Sequence, residues 1–285
     1  MCKASATDID EPEWIGGDPR YHTVFETLVG FIAKAAENAT ERDELVDATI
    51  AILLSVGTQD PSMDEYKLDS LALFGILLTI VKQIDAATAR HNAAVKLVMA
   101  IRNAPPPSSV LQTTDRYDRN REVHLQLTTF IGALSSFELD APLHPCLEDR
   151  PSTIVPSSRP PWRLPHYQRL KPSEWASLNA FIAKVHAAES DILELDYRGL
   201  FAMIEALEEP RTESELEDVL PAATARIVYA GSALKINDFP YACYPTESKR
   251  MPWSRGRFRE IAGREDVSDA VRSTALKAVE AGSGA

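Results

Sequence analysis

The sequence predicts an all-α protein, an irregular bundle of about eight to ten helices with no β-sheet. Three observations predict it. Apolar residues recur at three-and-four spacing through most of the 285 residues. Cap-like residues followed by proline mark helix starts at Asp18-Pro19 and Asp60-Pro61. No alternating β-branched run of useful length occurs, and no hairpin dipeptide stands between strands.

The elements follow in order. Residues 1–17 are polar and mixed, which predicts a loose arm. The remainder, 18–281, reads as one helical domain. Tyr21, Val24, Phe25, Leu28, Phe31, Ile32 and Ala35 form the stripe of a first amphipathic helix. Thr40 caps a second, carrying Leu45, Val46, Ile50, Leu53 and Leu54 and ending at Gly57. A third runs from Pro61 to about Ile84 and is apolar nearly all round after Ser70, which places it centrally. A fourth covers Thr88 to Asn103 and stops at Pro105-Pro106-Pro107. A fifth covers Arg121–Ser136.

Residues 141–172 then break the pattern. Eight of the 19 prolines fall between Pro142 and Pro172, so this stretch is neither helix nor central strand. Its Ile154, Val155, Trp162, Leu164 and Tyr167 predict an excursion that packs on the body. Ser173 caps the next helix, with Trp175, Leu178, Phe181, Ile182 and Val185 as its stripe. Asp196–Glu208 follows, and then Glu213–Ala233, which Pro221 either kinks or divides. Residues 236–256 read as irregular and aromatic, and two short helices near Arg257–Ala262 and Ser268–Glu280 close the chain.

Composition excludes several functions. With 42 acidic and 30 basic residues the net charge is −12, opposite to what phosphate neutralisation on nucleic acid requires. Cys2, Cys146 and Cys243 lie far apart with no CxxC, which fits free thiols in a reducing compartment. The long uncharged apolar runs Ala48–Gln59 and Ser70–Val81 are too short for a membrane span of about 20 residues. The start of the chain has no apolar segment of the secretory kind. A cytoplasmic location is expected.

Motifs for cofactor chemistry are missing. Neither G-x-G-x-x-G nor G-x-x-x-x-G-K-[ST] is present, so no nucleotide cofactor is expected. There is no G-x-S-x-G elbow, and Ser283 lies in a Gly-Ser-Gly tail. None of His22, His91, His124, His144, His166 and His186 pairs at i,i+4, and His144 with Cys146 reads as a surface loop, so no metal is expected. Asp43 with Asp47, and Glu215 with Asp218, share helix faces but read as solvated acids; no D-D-x-x-D occurs.

A basic run remains. Lys249, Arg250, Arg255, Arg257 and Arg259 interleave with Trp253 and Phe258. Arginine forks suit carboxylates, but a basic loop that offsets acidic neighbours is the simpler reading. His186 and His124 border apolar stripes and Tyr229 sits in an apolar helix. These three are the candidates for proton transfer, set against satisfied core or boundary side chains.

The segment Trp175-Ala-Ser-Leu178-Asn179-Ala180-Phe181-Ile182-Ala183 resembles the W-x-x-L-N-A-F-[IL]-A segment of an uncharacterised all-helical family of filamentous-fungal proteins. Leu220-Pro221-Ala222-Ala223 leading to Ile227-Val228-Tyr229-Ala230-Gly231 is similar to that family's L-P-A-A…I-x-Y-A-G helix. Pro252-Trp253 before Gly256-Arg257-Phe258 is similar to its Trp- and Gly-rich turn. The resemblance covers residues 173–281 best. It implies a fungal source and a helical fold, and hints at small-molecule secondary metabolism; it carries over no catalytic residue.

Two functions are expected to compete. The first is binding or cofactor-free conversion of an apolar small molecule in an interhelical pocket lined by Trp175, Tyr229 and Trp253, with His186 or Arg226 as polar anchors. Proton transfer, dehydration, isomerisation and cyclisation are the reactions open to it. The second is a noncatalytic helical module or homo-oligomer that docks protein partners.

Overall fold

The structure is a computed structural model that describes residues 9–12, 15, 19–37, 42–56, 63–103, 170–188, 202–203, 206–207, 211–233 and 250–282. Among these residues there are eight α-helices, one 3-10 turn and no strand. The helices are α1 (Pro19–Glu37), α2 (Arg42–Val56), α3 (Met63–Val81), α4 (Ala89–Asn103), α5 (Pro172–Ala188), α6 (Glu213–Ala230), α7 (Arg250–Ala262) and α8 (Asp269–Ala281). The expected helix at Arg121–Ser136 and nearly all of 141–172 lie outside the described residues. Two compact units emerge, one holding α1–α4 and the other α5–α8.

In the first unit α1 is the hub and packs against α2, α3 and α4. Its buried residues are Val24, Phe25, Leu28, Phe31, Ile32 and Ala35, the stripe its periodicity predicts. Helix α3 buries Phe74, Ile76, Leu77, Leu78, Ile80 and Val81. That run leaves no polar face, so the helix must be covered on several sides. It ends at Val81, three residues before the expected Ile84, in a turn where Gln83 and Ile84 donate to the carbonyls of Ile80 and Val81. The Thr88 hydroxyl caps α4 by accepting from the His91 N–H at 3.4 Å. Within the first 17 residues, Asp10 bonds to Gln83 and Ile15 is fully buried.

In the second unit α6 packs against α5 and α8, and α7 packs against α8. The core joins Ala183 of α5, Met203 and Leu207, and Leu216, Val219, Leu220, Ala223 and Ile227 of α6. Phe258 and Ile261 of α7 and Val271, Ala275 and Ala278 of α8 complete it. Side-chain bonds to carbonyls stitch the pieces. Arg257 Nε donates to the Leu207 carbonyl, Arg264 to the Arg211 carbonyl, and the Thr224 hydroxyl to the Thr274 carbonyl.

Three boundaries differ from the sequence expectation, each for a physical reason. Helix α5 begins at Pro172, so Ser173 is inside it. Proline suits the first helical position because its missing N–H needs no partner there. The Glu174 carboxylate reaches back to the Lys171 N–H at 2.9 Å, doing part of the capping expected of Ser173. Helix α6 runs unbroken through Pro221 and stops at Ala230, where Gly231 takes φ 51°. That positive φ is open to glycine at little cost. Helix α7 starts at Arg250, inside the stretch expected to be irregular. Pro252 falls in its first turn, where proline costs no hydrogen bond.

Candidate functional site

Helix α5 buries ten of its residues, including the polar Ser177, Asn179 and His186. Residues 175, 179, 182 and 186 recur at helical spacing, so Trp175, Asn179, Ile182 and His186 share one face. Helix α6 starts from a capping box. The Glu215 carboxylate accepts from the Thr212 N–H and hydroxyl, each at 2.8 Å, and the Thr212 Oγ1 accepts from the Glu215 N–H at 3.4 Å. Ala222, Ala223 and Ala225 are small and buried, which lets neighbouring helices approach α6 closely. The same helix buries Arg226 completely.

One polar chain links α5 to α6. Arg226 Nε donates to Asn179 Oδ1 at 2.8 Å. Asn179 Nδ2 donates to the Trp175 carbonyl one turn back, at 3.0 Å. The two bonds settle which end of the amide is oxygen, because a guanidinium only donates and a carbonyl only accepts. Asn179 and Arg226 are both 0% exposed and Trp175 is 3% exposed. Trp175 Nε1 is buried with no hydrogen-bond acceptor among the described residues. A buried indole N–H ordinarily finds one, so this orphan donor is a specific feature of the seam.

His186 is also fully buried. It lies two turns beyond Asn179 on α5, about 10 Å along the axis. Tyr229 is half-buried, three residues after Arg226, with Lys184 Nζ 4.5 Å from its ring centroid. That cation–π contact joins α5 to α6 a second time. The seam thus gathers Trp175, Arg226, His186 and Tyr229 of the expected site residues onto one pair of packed helices. His124 and the Trp253 side chain lie outside the described residues.

Sequence reading passed over Asn179 as a site residue. Its signal was present: a polar residue four after Trp175 on an otherwise apolar stripe. The basic run resolves differently. Arg257 is used by the Leu207 carbonyl and by the Glu260 carboxylate, and Arg259 is exposed. Arg255 Nε is buried without a hydrogen-bond partner, close to Gly282. Glu215 serves the capping box, and its pKa is held below the ordinary carboxylate value by the bonds from Thr212.

Chemically the seam offers a permanent cation, an indole donor and a buried imidazole. A guanidinium stays protonated and acts as donor and charge, not as base. Among the described residues no Asp or Glu is buried, so carboxylate acid–base work has no candidate there. No cluster of three or more metal-ligating side chains occurs among them either.

The α5 and α6 segments that build this seam lie within residues 74–260, which match the family model of DUF3632, a protein family of unknown function. The match covers well over half of the chain. The protein belongs to the DUF3632 family. The DUF3632 region begins inside α3, takes in α4, α5 and α6, and ends inside α7 at Glu260. It reaches further toward the start than the motifs of α5–α7 suggested, and stops short of α8. No curated protein and no solved structure matches the chain. Among the described residues no helix is long and apolar enough to cross a membrane.

Proposed function

We propose that the second unit binds an apolar small molecule along the α5–α6 seam, and that any conversion there is cofactor-free. The observation carrying this reading is the buried Trp175–Asn179–Arg226 chain with an indole N–H that has no acceptor among the described residues. A ligand carbonyl, hydroxyl or ether oxygen would meet that donor, and the buried aliphatic residues of α5 and α6, such as Leu178, Ile182 and Leu220, would suit an apolar body. His186 is the group for proton transfer if the ligand is converted. A fungal source, a role in secondary metabolism and a cytoplasmic location go with this reading as parts of the proposal.

Thermal unfolding tests it, using a panel of terpenoid ketones, aromatic acids and polyketide-like phenols. A compound at a hundred times its dissociation constant contributes about 2.7 kcal/mol, raising the midpoint by roughly five degrees. Trp175→Phe removes the indole N–H together with the five-membered ring that carries it, so it should weaken binding about tenfold, with a urea unfolding curve confirming that the variant is folded. A panel without any shift would turn the assignment to the helical protein-interaction module, to be sought by affinity capture.

A further inference from the structure

Residues 9–12 and Ile15 are held at three points. The Asp10 N–H donates to Gln83 Oε1 at 2.8 Å, and the Asp10 carbonyl accepts from Gln83 Nε2 at 3.0 Å. Gln83 is itself steadied by donating to the Thr79 carbonyl at 3.1 Å. The Ile15 side chain is fully buried, and its N–H closes a turn on the Pro12 carbonyl at 2.9 Å. The third grip is ionic. His22 Nδ1 lies 2.8 Å from Glu11 Oε1 of the segment, and His22 Nε2 lies 3.4 Å from Glu26 Oε1 of α1.

We propose that residues 9–12 form a pH-responsive latch, in which a doubly protonated His22 bridges Glu11 of the segment to Glu26 of α1. The argument is one of donor count. A neutral imidazole carries one N–H and an imidazolium two. Here two carboxylates face the two ring nitrogens, so only the imidazolium satisfies both. In the neutral ring a lone pair would face a carboxylate oxygen. Of the other charged residues in the segment and at the start of α1, Asp10 contributes its backbone to Gln83 and carries a further carboxylate, and Arg20 lies over the Tyr21 ring.

The electrostatics agree with the geometry. The hydrogen bond that His22 donates to Glu11, then the attraction of Glu11 and Glu26, raise the His22 pKa above its ordinary 6.5. A raised histidine pKa stabilises the latched form fully below 6.5. The stabilisation is lost as pH rises through the raised value. His22 is 48% exposed, so solvent and salt screen the effect and the Gln83 and Ile15 grips persist above it. The latch therefore loosens rather than detaches.

Hydrogen exchange on the full chain reads the device. With exchange times scaled for intrinsic rate, protection of the Asp10 amide, which donates to Gln83, should fall about two- to fivefold between about pH 6 and about pH 8.5. His22→Gln should abolish that response and leave the pH 6 protection at the weaker level. The His22 ring should titrate above 6.5 by NMR, and Glu11→Gln should bring its pKa down. A His22 pKa at or below its ordinary value overturns the proposal, as does an equal pH response in the His22→Gln protein. The test reads the first unit only, so its outcome is separate from that of the ligand panel.

Discussion

Asn179 is one of the groups that make the buried charge of Arg226 tolerable. A fully buried guanidinium needs its N–H groups met, and Asn179 Oδ1 meets Nε at 2.8 Å. Asn179→Ala removes that acceptor and leaves a charged donor short of a bond. The expected cost is about 1–3 kcal/mol, read as a lower urea midpoint with an unchanged slope. A variant as stable as the parent would show that the Arg226–Asn179 bond is energetically idle. The periodicity of α5 made Trp175 and His186 legible as stripe and boundary residues. It could not show that Asn179 is joined to Arg226, because the partners are 47 residues apart and meet only when α5 and α6 pack.

At the scale of the element, α6 shows how local chemistry sets a helix start. Thr212 and Glu215 satisfy each other's backbone N–H groups and so hold the first turn. Thr212→Ala should cost about 1 kcal/mol at neutral pH, measured by chemical denaturation. The Glu215 carboxylate adds a pH dependence of known sign. Its pKa is lowered by the Thr212 bonds, so its contribution is present above its ordinary 4.5 and is lost as pH falls through the lowered value. Glu215→Ala should therefore destabilise at pH 7 and be close to neutral near pH 2. Equal destabilisation at both would refute the carboxylate's part in the cap. Most helix stripes were readable because a 3.6-residue period follows from burying one face. The starts of α5 and α7 were misplaced for one shared reason. Proline blocks a helix interior yet is harmless in the first turn, and sequence alone does not say which applies.

For the whole molecule, the dominant electrostatic fact is the net charge of −12. Several ion pairs among the described residues are close in sequence, such as Arg264 with Asp266 and Arg272 with Asp269. Such exposed pairs contribute little and do not offset the overall repulsion. Screening should then help. Raising sodium chloride from about 0.02 to about 0.15 M is expected to raise the unfolding midpoint, because the Debye length shortens to about 8 Å. A midpoint that falls with salt would mean that attractive pairs outweigh the repulsion.

The sequence by itself determined the helical class, the faces of α1 and α5, and the lack of nucleotide-binding motifs. These follow from periodicity and short motifs, which are properties of neighbouring residues. Only the tertiary structure decided which polar residues meet. It joined Asn179 to Arg226, set Lys184 over Tyr229, and brought His22 between Glu11 and Glu26. The first two contacts depend on how α5 and α6 pack, and the last on where the chain entering α1 folds back. Such approaches are set by side-chain volume and the burial of whole faces, which no local pattern encodes.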